Sequence, residues 1–385
     1  LNGLCKTSQF VRSSSIKFCH HLSFLPIHTS TSPAARFQPH YGSDRVQANQ
    51  SPAITSSHIP HHPDPLHRPV PSAHNLRPRT QLHSQLSHRH FMTSSESAAP
   101  ASNPPLHIAI LNCPGTCRYD PLYKQWIDAV ATKLNQKIIW EVYDPADGAL
   151  PPLPDSSDPD STGSGGQGSE ARYDGYIISG SRHGVYEQEE HPWISELCQW
   201  ANKAHLLKCK VLGVCFGHQV IAKALGGTVT VNPNGFEIGR HTFTASNEAI
   251  RYFERLGMSN AELDGDVAPP GKDWKMDMLY VHGDYLVPEE LPAGMFSMGG
   301  TDMSPHNGLF NGSNLLTFQG HPEFLPETVD LCIDALTKRD ILPSRLPDGF
   351  GIDKVRESLS QSVDAKWLGY LTVNFFRDTA LGSDL

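Results

Sequence analysis

The sequence predicts an α/β fold, an open and mostly parallel β-sheet with helices on both faces. Two observations carry that expectation. From residue 106 short apolar runs alternate with stretches of helical periodicity, the signature of parallel strands joined by crossover helices. One of those runs ends in a glycine-flanked cysteine followed at once by a helix, which puts a reactive side chain at a strand's carboxyl end, where such sheets bind ligands.

The first strand is Leu106-His-Ile-Ala-Ile-Leu-Asn112. A helix from about Pro121 to Leu134 follows, because Trp126, Ile127, Val130 and Leu134 recur at helical spacing. Lys137 to Tyr143 is the second strand. The Pro, Asp, Ser and Gly residues of 151–169 then read as a surface insertion. Its Gly163-Ser-Gly-Gly-Gln-Gly168 superficially suggests a phosphate-binding loop, but neither the following Lys-Ser/Thr nor a helix is there. Tyr173 to Ser179 is the third strand, Pro192 to Leu207 a helix, and Lys210 to Cys215 the fourth strand. A helix Val220–Leu225 stops at Gly226-Gly227. Much later, Leu315-Leu-Thr-Phe318 reads as a strand, and helical stretches follow at Glu327–Leu336 and near Val363–Phe376. The order of the strands does not follow from this pattern.

The chain has 385 residues, and its composition divides them unevenly. Residues 1–100 hold 12 of the 21 histidines and nine Lys/Arg against Asp44, Asp64 and Glu96 alone. They lack the apolar surface needed to offset chain entropy. The expected division is therefore a disordered extension over 1–104 and a folded domain over 105–385 with a C-terminal helical tail. The basic, Ser-rich stretch Lys6 to Arg45 has the composition of a mitochondrial transit peptide. Equally, Met92 is the first methionine, and an initiator there would make the upstream sequence non-native and the protein cytoplasmic. The spacing of His58, His61, His62 and His67 is irregular and does not read as a metal tract.

Residues 101–385 carry 22 basic and 37 acidic groups, a net charge of −15, which speaks against nucleic acid and anionic membrane as partners. Eight cysteines are too few and too scattered for a disulfide framework. Cys113 and Cys117 stand four apart, but no second pair at ligand spacing follows. No apolar run reaches 18 residues.

The chemistry concentrates in Gly213-Val-Cys215-Phe-Gly217-His-Gln219. Glycines two residues either side of a nucleophile are what a sharp strand-to-helix turn requires. The turn sets Cys215 at a helix N-terminus, where free N–H groups favour a thiolate, and aims the Phe216 N–H at a developing oxyanion. A base and an orienting carboxylate are then needed. Gln319-Gly-His321-Pro-Glu323 supplies both; two residues apart in extended chain, His321 and Glu323 leave on one face.

These segments, with Ile178-Ser-Gly-Ser181 before them, resemble the class I glutamine amidotransferases over roughly residues 106–340. The resemblance implies a flavodoxin-like fold, a Cys215-His321-Glu323 triad, no cofactor and no metal. It further implies that Gln219 contacts the substrate and that the loop Gly180-Ser181 gives the second oxyanion N–H, with either amide open for that part. Tyr280-Val-His-Gly-Asp284 looks like the family's pocket-lining segment, which would place His282 and Gly283 on the substrate; His282 reads equally as a satisfied core histidine. Ser179-Gly-Ser-Arg-His-Gly-Val-Tyr186 and Glu190-His-Pro-Trp193-Ile resemble the GMP-synthetase-like subgroup that includes gamma-glutamyl peptidases. The expected activity is hydrolysis of a gamma-glutamyl amide, in glutamine or a gamma-glutamyl peptide, through a cysteine thioester. The alternatives are a glutaminase subunit that feeds ammonia to a separate synthetase, and a non-catalytic binding protein on the same fold.

Overall fold

The computed structural model of the chain describes residues 103–115, 118–154, 173–258, 270, 273–347 and 349–379. The expectations placed on the N-terminal segment up to residue 102, on Cys117 and on residues 155–169 of the insertion fall outside the described residues.

The strands in chain order are β1 (Leu106–Leu111), β2 (Ile138–Tyr143), β3 (Gly175–Ile178), β4 (Val211–Val214), β5 (Val229–Val231), β6 (Glu237–Ala245), β7 (Lys275–His282), β8 (Asp284–Leu286), β9 (Phe296–Ser297), β10 (Gly299–Gly300), β11 (Leu309–Phe310) and β12 (Leu315–Phe318). The helices are α1 (Asp120–Ala131), α2 (Pro192–Leu206), α3 (Phe216–Ala224), α4 (Asn247–Arg255), α5 (Pro326–Lys338), α6 (Leu342–Arg345), α7 (Ile352–Ser358) and α8 (Ala365–Arg377).

The main sheet runs β2-β1-β3-β4-β12-β11-β9. Its first five strands are mutually parallel, and β11 and β9 extend it antiparallel. The order β2-β1-β3-β4-β12 is that of a flavodoxin-like sheet. Alternation along a strand splits the core in two. In β1, Ile108 and Ile110 join the layer of α1 and α8, while Ala109 and Leu111 join that of α2 and α3. Proline at the first or second position starts α1, α2 and α5, where its missing N–H costs no hydrogen bond. Asn112, just past β1, receives the Tyr119 and Asp120 N–H groups on its Oδ1 at 2.9 and 3.1 Å, which fixes the start of α1.

Three features of the fold differ from what the sequence predicts. The helix after Cys215 begins at Phe216 and not at Val220, because the cysteine itself is the capping residue and no linker intervenes. The last helix is a layer of the core: Trp367, Leu368, Tyr370, Leu371, Val373 and Phe375 of α8 are buried, and Trp126 Nε1 of α1 donates to Ala365 O at 2.7 Å. The third concerns β6 and β7, which the sequence reading did not contain. They pair antiparallel from Glu237↔His282 to Thr244↔Lys275, and β6 interleaves Arg240 and His241 with apolar residues, a pattern that single-strand hydropathy reads weakly. Among the described residues no helix is long and apolar enough to cross a membrane.

Candidate active site

The carboxyl ends of β3, β4 and β12 converge on a cleft of about 280 Å³, lined among others by Tyr119, Ser181, Cys215, Gln219, His282 and His321. Cys215 sits between β4 and α3 with φ +53° and ψ −104°, a region that side-chain-bearing residues occupy only under constraint, at a cost of about 1–3 kcal/mol. The surroundings impose it. A Cβ on Gly217 would come within 2.1 Å of the Ile178 carbonyl oxygen of β3, and one on Gly213 within 2.5 Å of the Gly217 oxygen. With hydrogen there instead, α3 seats directly on β3 and β4. The Cys215 N–H donates to Phe318 O at 2.8 Å, tying the turn to β12, whose continuation carries His321.

His321 and Glu323 are not in extended chain as expected. The segment turns, the Phe324 N–H reaching back to His321 O at 3.3 Å, while the His321 N–H donates to Leu279 O of β7 at 2.7 Å. The turn still brings His321 Nδ1 to 2.8 Å from Glu323 Oε1, and the ring stacks on Phe324 with centroids 3.9 Å apart. Both side chains are buried. Burial depresses the imidazolium, but the Glu323 charge and then Cys215 oppose it and hold the His321 pKa above its ordinary value. Gly180 sits against both partners: a methyl group there would lie 3.1 Å from His321 Cε1 and 3.8 Å from Cys215 Cβ. With Nδ1 on the carboxylate, the second ring nitrogen is left for the sulfur.

Tyr123 of α1 completes the group and escaped the sequence reading, because its place on the apolar stripe of α1 gives no sign of polar work. It is fully buried, and burial and then the Glu323 charge push its hydroxyl well above the ordinary phenol range; among the described residues neither that hydroxyl nor Glu323 Oε2 has a hydrogen-bond partner. Of the two amides left open in Gly180-Ser181, Ser181 is the residue on the cleft. Its hydroxyl donates to Pro114 O at 2.5 Å and accepts from the His183 N–H at 3.3 Å, which pins the loop. Among the described residues neither the Ser181 nor the Phe216 N–H has a hydrogen-bond partner; Phe216 also lines the cleft.

Gln219 reaches the cleft from α3, held by Gln319 Oε1 at 3.2 Å and Asp284 O at 3.4 Å. Gly283 lines the wall, its carbonyl accepting from Arg345 at 2.7 Å. His282 borders the cleft too, but Nδ1 meets Asp284 O at 2.9 Å and Nε2 meets Glu237 Oε2 at 2.8 Å, so both nitrogens are taken by the fold. Asp284 accepts the Tyr186 hydroxyl at 3.2 Å, and burial raises its pKa. Arg339, just past α5, and Arg345, the last residue of α6, also reach the cleft; a hundred and more residues from the cysteine, they had no motif to mark them.

Other candidates for the chemistry are placed out of play. His218 is fully buried and pushed down to about 3, hence neutral, with Nδ1 on Thr317 Oγ1 at 2.9 Å. Burial drives the Cys113 thiol far up and that of Cys198 to about 11. Among the described residues one group of donors has metal-ligand spacing, His183, Glu187 and His191.

Residues 157–333 match the family profile described as Glutamine amidotransferase class-I. Gamma-glutamyl peptidase 2 of Arabidopsis thaliana is 28% identical over 210 residues, 54% of this chain and 74% of that protein. GMP synthase [glutamine-hydrolyzing] of Dehalococcoides mccartyi is 32% identical over 151 residues, 39% of this chain and 23% of that one. Among solved structures, a glutamine amidotransferase from Thermotoga maritima superimposes with a TM-score of 0.47 and 16% identity over 72% of this chain and 99% of that chain.

Proposed function

We propose, from the premise that this chain carries a glutamine amidotransferase class-I domain and is a hydrolase of that type, that it cleaves gamma-glutamyl amides by way of a thioester on Cys215. The observation that carries the reading is the meeting of three groups on one cleft: a cysteine in a constrained turn at a helix N-terminus, a histidine beside it, and a carboxylate 2.8 Å behind the histidine.

The steps follow from the positions. The Cys215 proton passes to His321, and the sulfur attacks the gamma-carbonyl carbon. The oxyanion forms toward the N–H groups of Phe216 and Ser181. As the C–N bond breaks, His321 gives its proton to the departing amine, and the gamma-glutamyl thioester remains. Water, deprotonated by His321, then cleaves the thioester to glutamate and restores the thiol. Glu323 holds the imidazole in the required tautomer. Gln219 and the Gly283 wall face the glutamyl part. Arg339 and Arg345 offer donors to the carboxylates of a gamma-glutamyl peptide.

Similarity to a gamma-glutamyl peptidase favours a peptide as the substrate; similarity to part of a GMP synthase supports, second, a glutaminase whose ammonia a synthetase consumes. Incubation with glutamine, glutathione and gamma-glutamyl dipeptides, with products identified by mass spectrometry, separates the two. Turnover of the peptides in the protein alone supports the first; activity confined to glutamine supports the second. No turnover of any of these substrates contradicts both.

A further inference from the structure

Residues 181–191 form a turn-rich loop between β3 and α2 that brings His183, Glu187 and His191 together. Backbone hydrogen bonds fix its shape, Glu187 N–H to Gly184 O at 3.0 Å and His191 N–H to Glu187 O at 2.9 Å. Glu187 Oε2 lies 3.0 Å from His183 Nδ1 and 3.9 Å from His191 Nε2, and the donor atoms are all within 4.8 Å of one another. The imidazole centroids are 4.0 Å apart. Zinc bonds of about 2.0–2.2 Å to nitrogen and oxygen separate the donors of a tetrahedral site by about 3.3–3.5 Å, a spacing the observed distances bracket. Arg182 Nε donates to His183 Nε2 at a long 3.4 Å; that contact is surrendered when Nδ1 takes a metal and the ring proton moves to Nε2.

We propose that His183, Glu187 and His191 bind one divalent cation of the zinc class, and that its presence lowers turnover in the neighbouring cleft. Two of the three ligands, His183 and Glu187, line the cleft that Cys215 lines, and three protein donors leave a fourth position for water or a ligand group. A cation held there, with its water, stands at the wall of that cleft, where His183 and Glu187 lie. The cluster also communicates with the turn: Trp193 packs edge-on against His183 and contacts Phe216, with centroids 5.9 and 5.6 Å apart. Substrate binding suffers first, so loading the site raises KM more than it lowers kcat.

The test must separate this site from the thiol, since zinc also binds a cysteine beside a histidine. Full-length Cys215→Ser protein, with and without His191→Ala, is titrated with zinc against a chromophoric chelator; the N-terminal histidines are common to both. His191 is half-exposed, lies outside the cleft lining and makes no side-chain capping bond. The expected result is one equivalent fewer in the His191→Ala protein, the site losing more than the roughly 10–100-fold in affinity that outer partners cost. The isosteric Glu187→Gln, made in the same background, should lose the same equivalent. Equal stoichiometry and affinity in all three proteins overturns the site. With Cys215 intact, zinc should raise KM in the parent and not in His191→Ala, whose metal-free activity equals the parent's. Identical inhibition of the two would place the effect at the thiol and overturn the functional half of the proposal. The binding arm reads out even if the gamma-glutamyl reading fails.

Discussion

Two histidine–carboxylate pairs of nearly the same description face the cleft. His321 Nδ1 lies 2.8 Å from Glu323, and His282 Nε2 lies 2.8 Å from Glu237; all four side chains are buried. They differ in what the second ring nitrogen meets. In His282 it meets the Asp284 carbonyl, and the ring has no valence to spare. In His321 it is left beside the Cys215 sulfur. A carboxylate partner therefore does not make a histidine a catalyst; the free nitrogen does. The His282–Glu237 pair locks β7 to β6, and the His321–Glu323 pair faces the chemistry.

The largest effect that would sharpen this contrast is at the sulfur. Cys215→Ser should abolish hydrolysis with the melting temperature little changed, because one buried atom is exchanged for another of similar size. Next, His321→Ala should reduce kcat/KM by at least the roughly 10²–10⁴-fold attributable to general acid–base action, as measured on the best gamma-glutamyl substrate. Glu323→Gln, which keeps the shape, should cost less than that. Combined with His321→Ala it should add hardly anything, since residues that act as a unit are non-additive; full multiplication of the two effects would break the pairing.

The other pair should answer in stability. Removing one partner of a buried pair costs about 3–5 kcal/mol, so Glu237→Ala should lower the denaturant midpoint strongly while kcat/KM of the folded fraction stays within tenfold. A collapse of kcat with stability intact would put the His282–Glu237 pair in the chemistry as well.

The smallest and most specific difference is in pH. Burial raises the carboxyl pKa of Glu237, but the His282 imidazole 2.8 Å away, with His241 and Thr301, outweighs it and leaves the folded value lowered. The Glu237 contribution to stability is present above the unfolded carboxylate value of about 4.3 and is lost as pH falls through the lower folded value. That of His321 is raised, so its contribution is complete below the unfolded imidazole value of about 6.5 and is lost as pH rises through the folded value. Unfolding curves across pH should show Glu237→Gln flattening the acid limb alone. Imidazole NMR should show the His321 pKa falling in Cys215→Ser, which lacks one of the raising groups.

Much of the site was legible in the sequence for the same reason that it works. The turn at Cys215 admits only glycine at 213 and 217, so a backbone requirement is written in residue types. His321 and Glu323 are two residues apart, and their pairing survives even though the chain turns where extension was expected. Glu237 was not legible. Its partner is 45 residues away, and only the register of β6 on β7 brings Glu237 opposite His282. Tyr123 hides in a helical stripe, and Arg345 follows the motifs by more than twenty residues. The strand order, likewise, depends on which edges pair and leaves no local trace.

The central claim is that Cys215 carries the gamma-glutamyl group between the two halves of the reaction. It is tested most directly by mixing the full chain with a gamma-glutamyl dipeptide, quenching in acid within the first turnover, and mapping the adduct by peptide mass spectrometry. The account predicts a gamma-glutamyl thioester on Cys215 that forms in the wild type and is absent from Cys215→Ser. An adduct on Cys113, Cys198, Cys209 or Cys332 with Cys215 unmodified, or undiminished turnover in Cys215→Ser, would contradict it.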